Sequence, residues 1–164
     1  MRINRIFINK KMTEKAKNGY EDSERRPTMQ VYQWTDALKT NNAKIDTDHK
    51  MIIEKAQELS NAMADGKGRD QVIETVNFLQ EYVKKHFQEE EMMQKTSHYP
   101  EFELHKKNHT YFISELDQLA KKIKQNPTST VNVLELNKLI SGWFFNHIKK
   151  LDVEVAKHIT QTRL

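Results

Sequence analysis

The stretch YVKKHFQEEEMM, residues 82–93, decides the fold. Just upstream, Val72, Val76, Leu79 and Val83 recur in alternating steps of four and three, the spacing of an apolar seam in a packed helix bundle. The same steps continued land on His86 and Glu90. A seam that runs into an imidazole and a carboxylate either stops there or meets something inside the bundle.

Three other segments behave the same way. Ile45, His49, Ile52, Ala56, Leu59 and Met63 form one seam, and Phe102, His105, His109, Phe112, Leu116, Leu119 and Ile123 form another. A last one runs Val133, Leu136, Ile140, Trp143 and His147. Turn-rich segments at 64–70 (ADGKGRD), 95–100 (KTSHYP) and 125–130 (QNPTST) separate the four. Asp70 is placed to cap the second helix and Pro100 to sit in the first turn of the third. Short connections make sequential helices antiparallel. The expected fold is all-α: an up-down-up-down antiparallel four-helix bundle over residues 29–164 with an N-terminal arm.

Composition agrees, with only 4 Gly and 3 Pro in 164 residues. The chain has no Cys, which excludes disulfides and thiolate metal sites and makes a reducing compartment the default. No apolar run approaches the roughly 20 residues that span a bilayer. The N-terminal apolar patch, residues 6–8, is too short for a secretory signal, so the expected location is cytoplasmic. The net charge of +4 belongs entirely to residues 1–28, with 8 Lys/Arg against 4 Asp/Glu. The other 136 residues balance at 19 of each, and offer no field for a nucleic acid. Residues 1–28 are read as a flexible basic extension or leader, with Met29 as a second candidate start.

Five of the seven histidines lie on the seams. A single one would be an ordinary core residue bonded to a carbonyl. Five are different, because each unpaired buried polar group costs ~1–3 kcal/mol and a domain is stable by only ~5–15 kcal/mol. A metal relieves that cost by occupying the lone pairs. Residues four apart differ by only about 40° around a helix, so His86 with Glu90, and His105 with His109, form one-turn chelating pairs. Imidazole with carboxylate suits iron, zinc, copper or manganese. Five His and one Glu exceed a tetrahedral zinc site, which points to two metals, and paired metals in helix bundles favour iron. The chain contains no Glu-x-x-His and no His-Glu-x-x-His, so it matches neither ferritin-like nor zincin ligand patterns.

The segments IDTDHK (45–50), HFQEEEMM (86–93), YPEFELHKKNH (99–109) and WFFNHIKKLD (143–152) resemble, in order, the four ligand-bearing motifs of the hemerythrins. With VYQW (31–34) the resemblance covers residues 31 to about 158, and it is nearer the bacterial single-domain class than the invertebrate blood pigments. The resemblance adds Asp152, which periodicity places about 140° from His147 on an ideal helix; a bend or helix end would have to turn it inward. It implies that His105, His109 and His147 hold one iron and that His49 and His86 hold the other. Glu90, Asp152 and an oxo or hydroxo group would bridge the two irons. The resemblance further implies that the iron with two histidines would keep an open position for dioxygen and that each iron would supply one electron.

The implied function is reversible O2 binding as a carrier or store, not catalysis. Alternatives are an oxygen, iron or redox sensor, or a di-iron oxidase or peroxidase. Phe87, Trp143 and Phe144, next to ligands in sequence, are candidate walls of the O2 pocket. Glu89 and Glu91 read as flanking charges facing water, as do His98 and His158. Met51, Met63, Met92 and Met93 read as packing residues.

Overall fold

The computed structural model describes residues 32–162. The extension expected at 1–28 and the candidate start at Met29 lie outside that range. Every regular element described is helical. The four main helices are α1 (Ala43–Ala64), α2 (Arg69–Thr96), α3 (Phe102–Gln125) and a long α4 over residues 130–162. Each packs on its sequence neighbour, and α4 closes the ring against α1.

Local chemistry sets the ends. Asn42 caps α1 by accepting from the Lys44 and Ile45 N–H groups. Beside it Asp46 Oδ1 takes both the N–H and the hydroxyl of Thr40, each at 2.8 Å. The helix stops where Gly66 turns left-handed (φ +62°), and the Lys67 N–H reaches back to the Ala62 carbonyl at 3.0 Å. The end of α2 repeats this device with a histidine in the glycine position. His98 has φ +55°, and the Tyr99 N–H returns to the Gln94 carbonyl at 2.9 Å. Two sequence expectations shift slightly. Gly68, not Asp70, is the N-cap of α2, leaving Asp70 in the first turn where its charge faces the positive helix end. Pro100 precedes α3, whose N-cap is Glu101.

The seams of α1 and α2 are buried throughout. On α3 only Phe102, in the first turn, stays half-buried. Away from the histidines the seams meet in an aliphatic core that includes Leu59, Val76, Leu79, Leu116, Ile123 and Leu136. Before α1, Tyr32 clamps onto this core: its N–H donates to Gln57 Oε1 of α1 and its hydroxyl to Asn137 Oδ1 of α4.

The fourth seam departs from the helical expectation. Ser129 caps α4 by accepting from the Asn132 N–H, and the helix begins as a regular α-helix over Thr130–Asn137. It then widens into π-turns over Lys138–Phe144 and again over Ile148–Asp152, where N–H groups bond five residues back. Each wide turn absorbs an extra residue. The inward position after Ile140 therefore falls on Phe144, which is buried, and Trp143 is left half-buried at the edge. No bend or helix end is needed at residue 152, because the helix continues through Val153–Thr162.

Candidate metal centre

The seven residues singled out from sequence come together at one end of the bundle. His49 lies early in α1 and His86 and Glu90 late in α2, while His105 and His109 lie early in α3 and His147 and Asp152 late in α4. Antiparallel order makes these places level. All seven are buried, with Glu90, His49, His109 and Asp152 at zero exposure.

The donors divide into two groups, His105, His109, His147 and Asp152 in one and His49, His86 and Glu90 in the other. The carboxylates link them. Asp152 turns Oδ2 toward His49 Nε2 (3.1 Å) and Oδ1 toward His147 Nε2 (3.0 Å) and His105 Nε2 (3.4 Å). Glu90 turns Oε2 toward His86 Nε2 (3.7 Å) and Oε1 toward His105 Nε2 (2.8 Å) and His109 Nε2 (3.9 Å). Each carboxylate thus offers one oxygen to each group. The π-turn at Ile148–Asp152 brings Asp152 round above His147.

These atoms are poorly satisfied by one another. His49 Nε2, His86 Nε2, His147 Nε2, Glu90 Oε2 and both oxygens of Asp152 are buried without a hydrogen bond of good geometry. A folded domain does not ordinarily leave six such lone-pair-bearing atoms pointing at one another. The set fits two small cations, each taking imidazole nitrogens and carboxylate oxygens.

Electrostatics agree with that use at His109 and Asp152. Burial, reinforced by neighbouring His105 and His147, holds the His109 imidazole far below its ordinary value, in the neutral form that binds metals. Burial opposes ionisation of Asp152, but the imidazoles of His147 and His49 outweigh it and keep the carboxyl well below the usual range. Burial likewise opposes protonation of His105, yet its contact with Glu90 raises it.

Aromatic rings brace the imidazoles. Phe87 stacks on His109 with centroids 3.8 Å apart, and Trp143 stacks on His147 at 4.5 Å. Phe144 meets His49 edge-on at 5.5 Å. Phe87 also lies 5.4 Å from His86, between the two groups.

Several neighbours differ from the sequence reading. Glu91 does not face water: it is only 18% exposed, and its Oε1 lies 3.1 Å from His109 Nδ1. Its signal was present, because Phe87, Glu91 and Gln94 form a second line in steps of four and three beside the chosen seam. Gln94 is buried and donates from Nε2 to Glu90 Oε1 at 2.8 Å. Asp48, unnoticed beside His49, accepts from Tyr82 and Lys44 and lies 3.5 Å from His86 Nδ1. Burial pushes its carboxyl up, but His86, Lys44 and Tyr82 together hold it below its usual range. His158 is half-buried, and its ring donates to the Ser97 carbonyl at 2.7 Å, tying α4 to the turn after α2. His98 is exposed as expected. Glu89 is paired with Lys44 at 2.6 Å on the surface. Met92 packs little, at 62% exposed. No described helix is long and apolar enough to cross a membrane.

The family model described as the hemerythrin HHE cation binding domain matches residues 40–159. A bacteriohemerythrin from Pseudomonas aeruginosa strain LESB58 is 32% identical over 128 residues, covering 76% of this chain and 81% of that protein. A myohemerythrin from Theromyzon tessulatum is 31% identical over 121 residues, covering 74% and 88%. A crystal structure of a hemerythrin point mutant superposes with a TM-score of 0.68 at 27% identity, covering 78% of this chain and 96% of that one.

Proposed function

The chain belongs to the hemerythrin family, and from that footing we propose that it binds dioxygen reversibly at a pair of iron ions, as a carrier or store. The observation that carries this reading is the convergence of buried, unsatisfied imidazole and carboxylate atoms from all four helices on one place. In this reading His105, His109 and His147 would hold one iron, and His49 and His86 would hold the other. Glu90 and Asp152, each with one oxygen turned toward each group, would serve both irons. A pair of ferrous ions held there would supply the two electrons that reversible dioxygen binding requires.

The protein's own part is to hold geometry and keep the site dry. With two imidazoles instead of three, the His49–His86 side leaves room for a small ligand. Phe144, edge-on to His49, and Phe87, beside His86, wall that side. Trp143 stacks on the opposite, three-histidine side, so its role is to brace His147. A wall of aromatic carbon excludes the water and protons that would make oxidation irreversible. The reading is of a binding protein, not a catalyst.

The test is anaerobic reconstitution with ferrous iron, an iron count per chain, and spectra through repeated oxygen and argon cycles. Two irons and a charge-transfer band that returns in every cycle support the proposal. One metal per chain, or irreversible oxidation in the first cycle, would sink it. Steady consumption of oxygen with an added electron donor would instead favour a di-iron oxidase.

A further inference from the structure

Resting on the di-iron reading above, we propose that Glu91 is a positioning residue for His109. Its carboxylate holds the Nδ1–H of that imidazole, aims the Nε2 lone pair into the three-histidine group, and lends it negative charge.

The contact is specific. Glu91 Oε1 sits 3.1 Å from His109 Nδ1, and Phe87 lies flat against the face of the same ring. The stack fixes the plane of the imidazole, and the carboxylate fixes its rotation within that plane. An imidazole that donates N–H at Nδ1 must carry its free lone pair at Nε2. In His109 that atom points at Glu90 and His105, 3.9 Å and 2.9 Å away.

Three of the other imidazoles lack an equivalent, and the fourth has a carboxylate that it shares. Among the described residues, Nδ1 of His49, His105 and His147 has no hydrogen-bond partner. His86 Nδ1 is 3.5 Å from Asp48, but that carboxylate already accepts from Lys44 at 2.6 Å and Tyr82 at 2.9 Å. Its charge is shared with a cation. Glu91 forms no Lys or Arg ion pair among the described residues, and its close contact is with His109. A carboxylate behind a ligand imidazole makes it a stronger donor, and losing such a partner typically costs about 10- to 100-fold in metal affinity. The three-histidine position is therefore built to hold its iron more firmly and to favour the ferric state.

The test uses the full chain with Glu91→Gln, Glu91→Ala and, as a surface control, Glu89→Ala. Nitrogen-15 spectra of the metal-free protein read the tautomer of His109, and chelator competition reads ferrous iron affinity. The wild type should show the Nδ1–H form. Glu91→Ala should lose that preference and weaken one of the two iron positions by about 10- to 100-fold, with Glu89→Ala unchanged. Glu91→Gln, nearly isosteric, still accepts the N–H and should keep the tautomer, while loss of charge shifts the reduction potential of the bound irons positive. An unchanged tautomer and affinity in Glu91→Ala, or an unchanged potential in Glu91→Gln, overturns the proposal. If the wild type fails to take up two irons, the di-iron reading falls, while the tautomer measurement still judges the Glu91–His109 contact.

Discussion

The Phe87 ring lies parallel to the His109 imidazole, with planes within 2° and centroids 3.8 Å apart. Phe87 is almost completely buried and also meets Phe112 edge-on. One side chain therefore belongs both to the hydrophobic core and to the site.

Phe87→Ala removes a full aromatic from that junction. It should destabilise the metal-free protein by about 3–5 kcal/mol, the range for deletion of a large buried side chain. Phe87→Leu, which keeps more of the volume, should cost about 1.5 kcal/mol or less. Urea unfolding of the two variants checks the order. Equal midpoints would show that the stack contributes no packing.

Glu90→Ala should abolish two-metal binding, because Glu90 is the only α2 side chain with one oxygen toward each donor group. Glu89→Ala should leave metal content unchanged and cost at most ~1 kcal/mol, since it removes only surface ion pairs with Lys44 and Lys85. Metal analysis after desalting separates the two.

Removing metal should lower the thermal midpoint, because ligands that bind only the folded state add about 2.7 kcal/mol at 100 times Kd. Without metal several of the buried donor atoms stay unsatisfied, whereas the aliphatic end should be unaffected. Hydrogen exchange should therefore rise first around residues 49, 86–90, 105–109 and 147–152. Uniform acceleration along all four helices would contradict this division of the bundle.

His98→Gly should stabilise the protein by about 0.5–1 kcal/mol. The residue sits in the left-handed region at φ +55°, where a Cβ is strained and glycine is not. It is exposed and belongs to neither donor group, so metal content should not change. A lower denaturation midpoint would refute the strain argument.

The sequence by itself determined the all-helical class, the inward stripes of the first three helices and part of the fourth, and six of the seven residues that gather at the candidate site. It could do so because an α-helix repeats regularly, and a buried His or Glu at a seam position is costly enough to be noticed. Asp152 was legible only through family resemblance, since five residues past His147 is the wrong side of an ideal helix. The tertiary structure decided that the helix widens into a π-turn there and carries the carboxylate inward without ending. The same widening chose Phe144 over Trp143 for the inward place. Glu91, Asp48 and His158 are likewise tertiary outcomes. Each lies off the central line of its own helix, and what it touches depends on how neighbouring helices pack. Periodicity reports one helix's axis, whereas these partners were set by the space between helices.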